Sequence, residues 1–349
     1  MPHATIRDVA REASVSVASV SRALNGHERV RPEMRARVQE VASRLGYVPH
    51  AGARHLSMAR SHTLGVVVPD LHGEFFSELL RGMDREAAAL GFNLLLTVLH
   101  DDADGKRGAR GVETLNTMRG RVDGLVLMAP HVDPARLGEH LPAGLPILFL
   151  SCTGSRAGDA ALRIDNVGGA AAMIDHLVAG GARRIVHVSG PAGNTDAQER
   201  RTGAEDAAAR AGVALEVIEG DFTEASGSAA AGRIVRDGMR VDAIFAANDM
   251  MAIGAMMTLK QHGISVPGQV VVGGFDDVPL ARLVTPSLTT VSIDIAALGA
   301  RAVQRIVGRI DDDDDDSDEN DDEAVVPRLV VRETTTTTPR TGLNRGTGT

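Results

Sequence analysis

Tryptophan is absent from this chain, and tyrosine and cysteine occur once each. The lone Cys152 excludes an intrachain disulfide and fits a reducing compartment. Aromatic residues make up 2% of the chain, which leaves few rings to stack on a ligand. Lysine is nearly missing: Lys106 and Lys260 are the two, so arginine carries the positive charge. No apolar run approaches the ~20 residues needed to span a bilayer. The opening residues MPHATIRD lack the apolar stretch of a secretion signal. A cytoplasmic protein away from the membrane is therefore expected. Catalytic signatures are missing too: there is no nucleophile elbow, no P-loop and no zinc-spaced Cys/His set. The glycine pairs at 168–169, 180–181 and 273–274 are not a dinucleotide fingerprint. Neither an enzyme nor a cofactor or metal is expected.

What the chain does have is a strong N-terminal pattern. Ile6, Val9, Ala10 and Ala13 fall at i, i+3, i+4 and i+7, one face of a helix, with Thr5 as its cap and Asp8 near its positive end. Ser14-Val15-Ser16 breaks the pattern. Val17, Val20, Ala23 and Leu24 resume it, with Ser16 as the next cap. A third helix begins at Pro32 and turns Val38, Val41, Ala42 and Leu45 inward. Two short helices joined by a tight turn form the helix-turn-helix layout, whose second helix enters the major groove by its N-terminal end. Arg22 can bond guanine bidentately, while Val17 and Ala18 offer apolar contact to a thymine methyl. Thr5, Ser16, Ser19, Ser21 and Asn25 are short donors suited to phosphate oxygens. A small three-helix bundle without a DNA role has the same period. Charge favours the DNA reading: residues 1–60 hold ten Arg against five acids, in a chain of net charge −9.

From Leu64 the pattern changes to short apolar runs at 64–68, 92–98, 124–128, 146–150, 184–188, 243–247 and 270–273, alternating with helical stretches. Such runs read as parallel strands covered on both faces. The plan repeats around 64–150 and 184–273, which predicts two doubly wound lobes with a ligand site at the strand ends in the cleft between them. In residues 311–323, eleven of thirteen are acidic, more than the whole net charge. That run reads as a solvated, disordered loop insertion before a strand at 325–331. Screening of the basic N-terminal segment and weak divalent-cation binding are its alternatives.

The run TIRDVAREASVSVASVSRALN at 5–25, then LGYVP and ARHL, closely resembles the LacI/GalR family of bacterial transcription regulators. The likeness continues through DNVGGA at 165, GGARRI at 180, GDFTEASG at 220, FAANDMMAIGA at 245, GFDDVP at 274 and TPSLTTV at 285. The resemblance implies an all-α helix-turn-helix headpiece (1–48), a hinge helix (49–60) and an α/β two-lobe core similar to periplasmic sugar-binding proteins (61–340). Lobe 1 is expected at about 61–161 and 292–323, lobe 2 at about 162–291 and 324–340, with a frayed tail at 341–349. It also implies a homodimer on a pseudo-palindromic, double-stranded operator, associated with the nucleoid. Leu56 matches the family's leucine wedge, which kinks the minor groove; its alternative is an anchor onto the core. Arg29 and His55 complete the expected DNA-contacting set. Gly52 stands where such hinges carry a better helix former, so a weakly ordered hinge is expected.

Between the lobes the resemblance implies a small-molecule effector, a sugar or sugar derivative. A nucleobase-responsive regulator is the alternative within the family. A solute-binding module without DNA function is the alternative outside it. Asp276 matches a carboxylate that takes an effector hydroxyl or ring nitrogen, with turn-capping as the plainer reading. Arg200 matches an effector-contacting arginine, against a surface ion pair. Phe222 matches an aromatic platform, against core packing. Asn248 ends a strand and suits both ligand contact and a helix cap. Asp70, His72 and Phe76 follow the first strand and are expected in the opposite wall. There Gly73-Glu74 replaces the Asn-Pro common in the family.

Overall fold

The computed structural model describes residues 4–24, 30–47, 60–99, 115, 117–131, 141, 144–151, 160–311 and 322–336. The chain divides into two compact units, one from 1–63 with 118–123 and the other from 64–117 with 124–349.

The first unit holds α1 (Ile6–Glu12), α2 (Val17–Leu24) and α3 (Pro32–Arg44). Thr5 and Asp8 form a reciprocal cap: the Asp8 carboxylate accepts the Thr5 N–H at 3.0 Å, and the Thr5 hydroxyl accepts the Asp8 N–H at 3.4 Å. The chain leaves α1 through Ser14 in the left-handed region (φ 53°), and the Val15 N–H reaches back to the Ala10 carbonyl at 3.0 Å. α2 starts on Ser16, whose Oγ accepts the Ser19 N–H at 3.1 Å. Val9, Val20 and Val38 are fully buried where the three helices meet, and Tyr47 closes the base of this core. Arg44 of α3 pairs with Glu12 of α1 at 2.9 Å. Ser16→Ala is expected to lower the stability of α2 by about 1 kcal/mol, seen as earlier loss of helix signal in a denaturant titration. An unchanged curve would show that the cap is replaced by water.

The second unit holds two six-stranded sheets. In chain order its elements are β1 (Thr63–Val68), α4 (Glu74–Ala89), β2 (Asn93–Val98), β3 (Gly124–Leu127), β4 (Ile147–Leu150), β5 (Ala160–Ile164), α5 (Asn166–Ala179), β6 (Arg184–Ser189), α6 (Thr195–Ala211), β7 (Ala214–Glu219), α7 (Glu224–Arg236), β8 (Ala243–Ala246), α8 (Asp249–Gln261), β9 (Val271–Asp276), β10 (Thr289–Ser292), α9 (Ile295–Asp311), β11 (Asp322–Val325) and β12 (Arg328–Val330). The first sheet runs β11-β5-β4-β3-β1-β2, the second β12-β10-β9-β8-β6-β7. β3, β4 and β8 are buried along their whole length because helices cover both faces. β12 pairs antiparallel with β10, while the other pairs resolved in the second sheet are parallel.

The chain passes between the sheets three times: from β5 to α5, from β10 to α9, and from β11 to β12. Two of these crossings touch, the Asp165 N–H donating to the Val325 carbonyl at 3.0 Å. Three expectations need correction here. Residues 325–331 do not form one strand: Val325 ends β11 in the first sheet, and β12 begins at Arg328 in the second. The intervening Pro327 has no N–H to donate to a ladder, so the strand breaks there. The acidic run is not loop to its end, because Asp322 and Glu323 belong to β11, where Glu323 pairs with Arg301 and with Arg305. β5 also runs across the lobe change expected at 161–162. Residues 312–321 of that run, the hinge at 49–59 with Gly52, and the tail at 341–349 lie outside the described residues.

α4 and α9 pack most closely. A Cβ on Gly82 would lie 1.9 Å from the Ala296 carbonyl oxygen, and one on Gly299 would lie 2.3 Å from that of Leu79. Two helix backbones in contact through glycine fix how α9 covers β3 and β4.

Candidate functional sites

On the first unit, Val20 and Ala23 are buried and anchor α2 inward with Leu24 packed beside them, while Val17, Ala18 and Arg22 face out. Val17 is 42% exposed, unusual for an apolar side chain, and Ala18 and Arg22 are exposed beside it. One face at the N-terminal end of α2 therefore carries two apolar contacts and one guanidinium fork. Ser16 and Ser19 share a hydroxyl–hydroxyl bond of 2.8 Å next to this face. The Thr5 hydroxyl lies 2.7 Å from the Asp8 carboxylate within the cap of α1. Ser21 is half-buried. Asn25, Arg29, His55 and Leu56 lie outside the described residues.

In the second unit a cavity of about 540 Å³ opens between the two sheets, at the carboxyl ends of the strands. Asp70, His72 and Phe76 follow β1, Phe222 follows β7, Asn248 follows β8, Asp276 ends β9, and Arg200 comes from α6. All seven line this one cavity.

Arg200 is the centre of the polar wall and is 4% exposed. Its Nε donates to Asn166 Oδ1 at 2.8 Å, and its Nη1 donates to the Ala247 carbonyl at 2.6 Å. The guanidinium carbon lies 3.8 Å over the Phe275 ring, a cation–π contact in a buried wall. Nη1 is also 3.2 Å from Asp276 Oδ1. That distance makes an ion pair, yet no donor is aligned for a hydrogen bond to Oδ1, which is buried without one. The surface ion pair considered for Arg200 is replaced by a buried one.

Two residues that the sequence reading missed complete the wall. Asp196, in the first turn of α6, lines the cavity, and its Oδ1 accepts the Asn166 amide at 2.9 Å. Asn166, buried at the start of α5, also donates to Glu199 at 3.0 Å, so one amide positions Asp196, Glu199 and Arg200. Burial pushes Asp196 and Asp276 each up to about 6, with Arg200 pulling both back down. Behind them Asp249 is fully buried and raised well above the ordinary range, first by burial and then by the charge of Asp276. Its carboxylate is already committed, accepting the Val278 N–H at 2.9 Å and the Thr290 hydroxyl at 2.5 Å.

Asn248 does two structural jobs. Its Oδ1 caps α8 through the Met251 N–H at 3.0 Å, and its Nδ2 donates to the Phe222 carbonyl at 2.9 Å. That bond holds Phe222 at φ 70° with its ring against Gly190. Asp70 turns its carboxylate back onto the Leu71 and His72 N–H groups. His72 reaches across to Glu224 at 3.1 Å, and the Thr195 N–H and hydroxyl each meet the Pro130 carbonyl at 3.0 Å. Glu74 accepts the Leu280 N–H from the other lobe at 2.8 Å. Gly73 before it sits at φ 80°, a conformation open to glycine.

A capped helix-turn-helix with an exposed α2 face, in one chain with a two-lobe binding core, defines a ligand-responsive DNA-binding regulator. Residues 5–50 match the family of bacterial regulatory proteins, lacI family, and residues 174–335 match the periplasmic binding protein-like domain. The ribose operon repressor of Escherichia coli K12 is 34% identical over 314 residues, covering 88% of this chain and 93% of that protein. Catabolite control protein A of Priestia megaterium is 32% identical over 305 residues, covering 86% and 90%. The lac repressor dimer bound to operator and the anti-inducer ONPF superposes with a TM-score of 0.82 at 26% identity, covering 96% of this chain and 99% of that one. A complex of the regulator CelR with cellobiose gives 0.69 at 29% identity, covering 95% and 99%. The chain belongs to the LacI family of bacterial transcriptional regulators. It is a DNA-binding protein and not an enzyme. No helix among the described residues is long and apolar enough to cross a membrane.

Proposed function

We propose that this protein is a repressor that binds a pseudo-palindromic operator as a homodimer and is controlled by a sugar or sugar derivative in the interlobe cavity. The observation that carries this reading is the pairing of two features in one chain. One is an α2 face built from Val17, Ala18 and Arg22. The other is a polar wall of Arg200, Asp276 and Asn248 lining one cavity with the rings of Phe76 and Phe222. The relatives support it in kind: a repressor of a ribose operon, a repressor dimer on its operator, and a regulator with a bound disaccharide. Thr5, Ser16, Ser19, Ser21, Asn25 and Arg29 hold the phosphates. His55 and Leu56 work in the minor groove of the central step. Asp70 and His72 close the cavity from the first lobe. Ligand binding biases the angle between the lobes and so operator affinity. The protein acts in the bacterial cytoplasm, on the nucleoid.

A footprint of the purified protein on its own upstream region, with and without simple sugars, tests the whole reading. A protected palindrome whose occupancy changes with one sugar is expected. No sequence-specific protection under either condition would sink it. Arg22→Ala is expected to weaken operator binding by about 1–3 kcal/mol and to relax the preference for the base pair it reads. A uniform loss on operator and random DNA alike would instead make Arg22 a phosphate contact.

A further inference from the structure

We infer that the cavity selects its ligand by charge: Asp196 and Asp276, buried on either side of the one arginine, admit an uncharged or amine-bearing polyol and reject its phosphate ester or acid. This deepens the reading of the cavity as the effector site and rests on it. The charged lining among the described residues is Asp70, Asp196, Asp221 and Asp276 against Arg200, with His72 and His131. His72 already faces Glu224 at 3.1 Å.

Arg200 does not offset this as an anion receptor would. Its Nε is taken by Asn166, its Nη1 by the Ala247 carbonyl, and Asp276 shares the same nitrogen at 3.2 Å. A phosphate prefers a guanidinium fork presented bidentately, and here Nε and Nη1 are spent on wall acceptors, which breaks up the fork. The remaining polar groups point the same way. Asn248 spends its amide nitrogen on the Phe222 carbonyl, and the Thr223 hydroxyl donates to Asp221 at 2.6 Å. Asp196 and Asp276 set two buried carboxylates against one guanidinium in this wall. Burial raises Asp196 and Asp276 only to about 6, so both carry charge at pH 7.5. The complement of an acceptor-rich, anionic wall is a ligand rich in O–H or N–H donors and free of negative charge. Phe75, Phe76 and Phe222 supply the apolar faces for its C–H groups.

Asp196 is the specificity-determining member, because Asp276 is held by the Arg200 ion pair while Asp196 adds a second negative charge to a wall with one cation. The test titrates the full-length protein at pH 7.5 with ribose, glucose and galactose, each beside its phosphate ester, and with glucosamine and glucuronate, by calorimetry. Any sugar that binds is expected to do so at least about 100-fold more tightly than its phosphate or acid. Asp196→Asn, an isosteric change, is expected to narrow that ratio by at least about 10-fold, and a merely structural role for Asp196 would leave the ratio unmoved. A phosphate ester or glucuronate that binds as tightly as its neutral parent overturns the inference and leaves the effector site standing. Binding by none of these compounds removes the sugar reading of the cavity, and this inference with it.

Discussion

Replacing Arg200 with methionine is expected to destabilise the protein by about 3–5 kcal/mol at pH 8 and by much less at pH 5. The guanidinium is 4% exposed and, among the described residues, is the one arginine or lysine lining the cavity with Asp196 and Asp276. Removing it leaves two buried carboxylates without compensation. Both acids already sit near 6 with Arg200 present, against 3.8 in an unfolded chain, so protonation favours the fold. Stability therefore falls as pH rises from about 4 through 6, and loss of Arg200 lifts both acids further and steepens that fall. Below about 4 the carboxyls are neutral in either state, and the variant lacks only packing and hydrogen bonds to Asn166 and Ala247. Urea unfolding at pH 5 and pH 8 measures the difference. The double variant with Asp276→Asn is expected to regain part of the loss at pH 8, since it removes one of the stranded charges. Equal losses at both pH values, with no rescue, would mean that Arg200 serves the fold by its hydrogen bonds and its stacking on Phe275 alone.

Gly82→Ala is expected to cost about 3 kcal/mol, the upper part of the usual range for overpacking. The added methyl would meet the Ala296 backbone carbonyl at 1.9 Å, and no rotamer change relieves a clash with backbone. α4 and α9 would have to separate, loosening the cover over the first sheet. Gly308 on the same α9 is the internal control, because a Cβ there has nothing within 4 Å. Gly308→Ala is expected to stabilise by up to about 1 kcal/mol through helix propensity. Thermal unfolding of the two variants separates the effects, and a Gly82→Ala protein as stable as the parent would show that α9 has slack.

Much of this architecture is visible in the sequence because the period of apolar residues reports burial directly. The runs at 64–68, 124–128 and 243–247 coincide with strands covered on both faces. β7 escaped that reading because it is an edge strand whose residues alternate between exposed and buried, a period of two rather than a continuous run. β11 escaped because its residues include acids, and its partners on β5 are 161 positions away. The cavity shows the same division. Asp276 and Asn248 end or follow strands, where α/β folds place ligands, so position marked them. Asp196 looks like an ordinary first-turn helix acid, and only its approach to Asn166, 30 residues earlier, reveals it as part of the wall.

The three passages between the sheets bear on how the protein is made. The first lobe begins at β1 but is not finished until α9 and β11, residues 295 to 325, have left the ribosome. The second lobe waits longer still for β12. Between those moments, β5 has an unpaired flank and the face of α4 that receives α9 is bare. Domains usually fold in order of synthesis, and the helical headpiece, complete by about residue 47, can do so. The binding core cannot. Its lobes close almost together at the end of translation, so a chain cut short after Asp294 yields two open sheets rather than one sound lobe.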